Sequence, residues 1–218
     1  MKNTWPVMVI AILISVILQS PVGATQVRVQ ALLTNHSNTS SNTSAAWKCL
    51  WVEVSGTLPI ASPLHLSFSA AGGYPGLSAT RYALQLQYTY EFTRNTLITL
   101  HPVLSGQRTI QHYSGDVDEV TNAISSGLHL SYALKPDLIF TSGAELNLWS
   151  RVYLIAPLQQ EQSVSASGQR FFAEVCHQNS QWQLLGGVKY EVNQDTFINR
   201  LPRTSSATSI YIGASRQL

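Results

Sequence analysis

The chain has 218 residues, 13 basic and 11 acidic side chains, and a formal charge of +2. So even a balance argues against nucleic acid as a partner, because phosphate neutralisation needs a basic excess. Charged residues make up only 11% of the chain, against about 25% in ordinary soluble domains. Little is left to build the charged outer surface that keeps a soluble β-protein dispersed.

Residues 1–24 have the three-part layout of a secretory signal peptide. Lys2 gives a basic start, Trp5 to Leu18 is an apolar run broken by Pro6 and Ser15, and Val22-Gly23-Ala24 supplies small residues for cleavage after Ala24. The apolar run is short for a membrane span of about 20 residues. Residues 25–46 read as a flexible polar segment, dominated by the low-complexity stretch Thr34 to Ala46. That stretch holds three N-glycosylation acceptor patterns, at Asn35, Asn38 and Asn42.

From residue 47 to 218 the chain reads as a series of strands. Candidates are 47–56, 64–70, 80–93, 96–104, 125–134, 138–153, 168–177, 181–192 and 208–216, with 197–201 as a possible addition. In "YALQLQYTYEF" the residues Tyr82, Leu84, Leu86, Tyr88, Tyr90 and Phe92 alternate with Ala83, Gln85, Gln87, Thr89 and Glu91. Strict period-2 alternation means a strand with two unlike faces. In a soluble sheet the apolar face packs on a core, whereas in a membrane barrel it meets lipid and the polar face lines the lumen.

Three junctions carry tight-turn residues: "FTRNT", "LKPDL" and "VNQDT". Longer polar stretches at 105–122 and 157–167 read as loops. Short turns alternating with long loops are the layout of outer-membrane barrels. Tyr88, Tyr90, Phe92, Tyr132 and Tyr190 precede the tight turns, as an interfacial aromatic girdle would. The lipid-facing set is then Leu84, Leu86, Leu128, Leu130, Leu146 and Leu148. The lumen-facing polar set is Gln85, Gln87, Glu91, Glu145, Arg151, Lys189 and Glu191, whose charges must pair to be tolerated inside a small barrel. The fold expected is all-β, an antiparallel up-and-down transmembrane barrel of 8–10 strands. An exported soluble β-sandwich that binds a partner is the alternative.

The stretches "YALQLQYTYEFTRNTLITL", "GLHLSYALKPDLIFTSGAELNLW" and "LLGGVKYEVNQDTFI" resemble the hairpins of bacterial outer-membrane β-barrel proteins of the porin-like and transporter-like kind. The resemblance covers about residue 80 to the C-terminus. It implies a fold and a location in the cell outer membrane better than an activity. It also implies outer-membrane lipid and the barrel-assembly machinery as partners, and a structural, pore-forming or surface role.

His129 and Ser131 share one strand face, with Glu145 on the next strand. A His-x-Ser pair with a downstream acid resembles the catalytic set of outer-membrane lipid A deacylases, with His129 as base, Ser131 as nucleophile and Glu145 orienting the base. The plainer reading, an interior polar group without catalysis, is the one expected. Asp116, Asp118 and Glu119 read as a solvated acidic loop. No phosphate loop, Ca²⁺ loop or zinc spacing occurs, so no cofactor or metal is expected, and no small-molecule ligand is implied. Cys49 and Cys176 are the only cysteines. In an oxidising compartment they either pair or remain two buried thiols.

Overall fold

The computed structural model describes residues 26–40, 43–61, 64–74, 78–88, 90–91, 98–113, 117–156, 159–179, 181–198 and 200–217. The expected cleavage after Ala24 lies outside them. The strands are β1 (Gln26–Ser40), β2 (Thr43–Ala61), β3 (Leu64–Tyr74), β4 (Ser78–Tyr88), β5 (Tyr90–Glu91), β6 (Ile98–Tyr113), β7 (Val117–Lys135), β8 (Leu138–Ala156), β9 (Gln159–Gln178), β10 (Trp182–Phe197) and β11 (Arg200–Gln217).

Apart from β4 and β5, which both pair with β6, each strand pairs antiparallel with its sequence neighbour, and β1 pairs with β11 from Gln26↔Gln217 to Thr39↔Thr204. The two-residue β5 lies along the same edge of β6 as β4, so together they fill one position in the wall. The β4–β6 ladder joins the ends of the sheet into a closed up-and-down barrel of ten strand positions. Closure removes every sheet edge. It also leaves no second sheet to pack against, which overturns the β-sandwich alternative.

Alternation decides which side chains point out. On β10, Trp182, Leu184, Val188 and Tyr190 are 43–61% exposed, while Leu185 is buried. The expected lipid-facing residues Leu84, Leu128, Leu130, Leu146 and Leu148 are all exposed on the outer surface. Leu86 shares their phase and is partly covered. Tyr88, Tyr132 and Trp182 edge this apolar belt at the end that holds both termini, and Tyr82, Trp149 and Tyr190 edge it at the far side. Tyr190 therefore belongs to the far edge and not to a turn. The side chain of Tyr90, and Phe92, lie outside the description.

Strands of 16–20 residues, such as β7, β8 and β9, rise about 40–50 Å at a tilt of about 40°, against an apolar band about 25 Å tall. The surplus stands at the far end, where outward positions become polar. On β1 the outward sequence runs Val29, Ala31, Leu33, then Asn35, Ser37, Thr39.

This change of outer surface corrects four expectations. Residues 26–40 of the supposed flexible segment form β1, and the wall of the barrel begins at Gln26, not at residue 47. Within the supposed loops 105–122 and 157–167, residues 105–113, 117–122 and 159–167 are the far halves of β6, β7 and β9, and the remaining residues lie outside the description. "VNQDT" lies within β10, where Asn193 and Asp195 point into the lumen and Gln194 points out. Of the acidic "loop", Asp118 and Glu119 sit in β7, Glu119 facing inward. In the far parts of these strands polar residues dominate both faces, so the period-2 signal weakens although the backbone remains a strand. "LKPDL" is a true turn, at Pro136-Asp137. "FTRNT", residues 92–96, lies outside the description.

Candidate functional site

The lumen is the candidate site, and ionic bridges cross it between two of its chambers. The larger, toward the terminal end, has a volume of about 350 Å³. It is lined by Arg28, Gln85, Gln87, His101, His129, Ser131, Glu145, Phe172, Glu174 and Lys189, among others. The smaller, toward the far end, holds about 80 Å³ and is lined by residues including His36, Trp47, Glu119 and Asp195.

Between the chambers lies a network centred on Arg170 of β9. Its guanidinium donates to Glu145 on β8 at 3.0 Å, to Glu191 on β10 at 2.8 Å and to Gln107 on β6 at 2.6 Å. Glu145 and Glu191 are the register partners of Arg170 on its two sides, so the ladder sets the carboxylates where the guanidinium fork can reach both. The Lys189 ammonium meets Glu191 at 2.7 Å. From the opposite wall Arg81 on β4 reaches Glu191 at 3.7 Å. In the order β4-β3-β2-β1-β11-β10 the two strands are five steps apart, and five the other way round a ten-position ring. This contact therefore crosses the full width of the lumen. The Arg81 guanidinium also lies over the Trp51 ring, 5.1 Å from its centroid.

A second tie closes the far chamber. Arg203 on β11 donates to Glu119 on β7 at 2.6 Å and to Asp195 on β10 at 2.7 Å. Toward the terminal end, Arg28 pairs with Glu174, which also accepts from the Tyr211 hydroxyl at 3.0 Å. Removing one partner of such a buried pair is strongly destabilising, because the other charge stays behind without compensation.

Of the residues expected in the lumen, Gln85, Gln87, Glu145, Lys189 and Glu191 line it. The side chain of Glu91 lies outside the description. Arg151 is different: it is exposed on the outer surface, with its guanidinium 5.9 Å from the Trp149 ring centroid. The cause is a β-bulge. Ile124 pairs with Trp149 while the next residue, Ser125, pairs with Asn147, so Leu148 is an extra residue. Leu148 and Trp149 both point outward, and beyond them every side chain of β8 changes face.

The possible catalytic set comes together only in part. His129 Nε2 meets Glu145 Oε1 at 3.0 Å, and the His129 ring packs edge-on against Phe172. Ser131 does not bond His129. Its hydroxyl meets Thr141 Oγ1 at 3.0 Å and His101 Nε2 at 3.2 Å, and His101 Nδ1 meets Gln87 at 3.0 Å. Ser131 sits in a strand paired on both sides, so the ladders engage the backbone amides that could otherwise stabilise an oxyanion.

Cys49 and Cys176 are buried thiols on β2 and β9, with β1, β11 and β10 between those strands. Cys49 packs with Trp51 close to Gly73, whereas Cys176 is the register partner of Leu185 and Ile139. Both belong to the inward-facing buried cluster, and with three strands between them they form no disulfide.

Sequence reasoning missed Arg81, Arg170, Arg203, Arg28 and Glu174. The first was within reach, since Arg81 shares the phase of Gln85 and Gln87. Arg203 and its partners lie where neither face is apolar and no phase can be read.

No family model and no curated protein matches the chain. Among solved structures, similar ones include Neisserial surface protein A, with a TM-score of 0.45, 15% identity, and coverage of 88% of this chain and 97% of that one. The translocator domain of the autotransporter NalP from Neisseria meningitidis has a TM-score of 0.49 at 10% identity, covering 98% and 96%. The NanC porin has a TM-score of 0.42 at 10% identity, covering 86% and 100%. All three are outer-membrane β-barrels.

Proposed function

We propose that the protein is an integral outer-membrane barrel whose lumen is closed by its own side chains, with a structural or surface role and neither catalysis nor open diffusion. The observation that carries this reading is the Arg81–Glu191 contact across the full lumen, joined to the Arg170 network. An open pore keeps a wetted path along its axis. Here the path is interrupted at mid-height by paired charges, and again by Arg203. The outward apolar belt and its two aromatic edges support placement in a bilayer. The split between Ser131 and His129 supports the absence of catalysis.

The test has two arms. Purified protein mixed with lipid vesicles should float with them after a carbonate wash, and the vesicles should retain an entrapped sugar. Protein left in the carbonate supernatant would refute the membrane placement, and loss of the sugar would refute closure. Release of fatty acid from lipopolysaccharide by the parent but not by Ser131→Ala would establish the hydrolase alternative instead.

A further inference from the structure

The bulge in β8 does more than correct one residue. It brings two arginines onto the same outer patch. Arg108 on β6 is the register partner of Asn122 on β7, and Asn122 is the register partner of Arg151 on β8. Neighbouring strands lie about 4.8 Å apart, so the two arginines rise from backbones about 10 Å apart with the Asn122 amide between them. Without Leu148 as the extra residue, Arg151 would point into the lumen. Both arginines are exposed. Neither forms an ion pair among the described residues; the Arg151 guanidinium lies by the Trp149 ring. The nearest outward acid on these three strands is Asp118, four residues beyond Asn122 and held by His112 at 2.6 Å.

The height of the patch is as specific as its charge. Directly below it, toward the terminal end, the same strands present Leu104, Ile124 and Leu148 to the outside. At its own level stand the far-edge aromatics Tyr82, the register partner of Arg108, and Trp149. Two cations and an amide thus sit above Leu104, Ile124 and Leu148, with Ile110, Val120 and Tyr153 as the next outward residues on the same strands and the His112–Asp118 pair beyond them. A lipid puts its headgroup against outward cations when its chains cover the apolar belt below. Guanidinium forks match phosphate oxygens in geometry and charge.

We propose that Arg108, Asn122 and Arg151 form a binding site on the outer wall for the phosphate headgroup of a membrane lipid, aimed by the β8 bulge and floored by Trp149. The proposal rests on the membrane reading above. The lipid chains lie along Leu104, Ile124 and Leu148, and its phosphate bridges the two arginines.

The test uses the full folded barrel in neutral detergent, with native mass spectrometry counting retained lipid. The probes are phosphatidic acid, which carries a phosphate monoester, phosphatidylcholine, and inorganic phosphate. The parent should retain phosphatidic acid in preference to phosphatidylcholine. The double variant Arg108→Gln/Arg151→Gln should bind it about 25-fold more weakly, since each cation at a membrane surface contributes about fivefold. Lys48→Gln, an outward cation on β2 away from the patch, should leave retention unchanged. Equal retention by the parent and the double variant would overturn the proposal. So would displacement of the lipid by equimolar inorganic phosphate, which would make the patch a site for free phosphate. Flotation of each variant with phosphatidylcholine vesicles keeps the two readings apart. A barrel that floats but does not discriminate loses the site alone, whereas one that does not float loses the membrane reading.

Discussion

The two halves of the barrel use the same backbone and opposite surfaces. In the terminal half, the outer face is apolar and the inner face polar, and the lumen keeps a chamber of about 350 Å³. In the far half the outer face is largely polar, with Ile155, Val164 and Leu201 as exposed apolar exceptions, and the lumen shrinks to about 80 Å³. The difference teaches that solvent, not strand formation, sets the pattern of side chains. Where lipid covers the outside, the outward residues must be apolar. Where the wall stands clear of lipid, Asn35, Ser37 and Thr39 can take the places that Val29, Ala31 and Leu33 hold below.

Breaking the boundary between the halves should have the largest effect. Arg170→Met leaves Glu145 and Glu191 facing one another with Arg170 gone, and should cost about 3–5 kcal/mol. Urea unfolding of the vesicle-inserted protein measures it. Lipid contact is tested next. Leu84→Arg places a charge in the apolar belt and should cost about 2–4 kcal/mol near the bilayer midplane, seen as failure to insert into vesicles. Ser131→Ala removes the contacts to Thr141 and His101 and should cost about 1 kcal/mol, with no other property of the protein changed. The smallest effect belongs to the far half. Gln194→Arg, outward on β10 above the belt, should change stability by less than about 0.5 kcal/mol. If it costs as much as Leu84→Arg, the bilayer reaches further up the wall than the sequence of outward residues indicates.

The same contrast explains what could be read from the sequence. Strands 80–88, 125–134, 138–147 and 182–192 were legible because Leu and Tyr alternate with Gln, Ser and Glu. The face of Glu145, Lys189 and Glu191 followed from that alternation. The far parts of β1, β6, β7 and β9 were not legible, whereas the near half of β1 does alternate, with Val29, Ala31 and Leu33 outward. Residues such as Ser205 and Ser206 carry no contrast between faces, and only pairing with neighbours reveals the strand. Arg151 was misplaced for another reason. One extra residue, Leu148, inverts the phase, and nothing in "ELNLWSRV" marks which residue is unpaired. The partners of the charges were also hidden. Arg81 and Glu191 are 110 residues apart in number and meet only because ring closure sets β4 opposite β10.

Closure of the lumen is tested most directly by the current through a planar bilayer holding the purified protein, compared with Arg81→Ala. The parent should give no channel steps at neutral pH and moderate salt. Arg81→Ala, which removes the side chain that spans from the opposite wall to Glu191, should give small steps. Steady ohmic steps from the parent would contradict the account and make the protein an open pore.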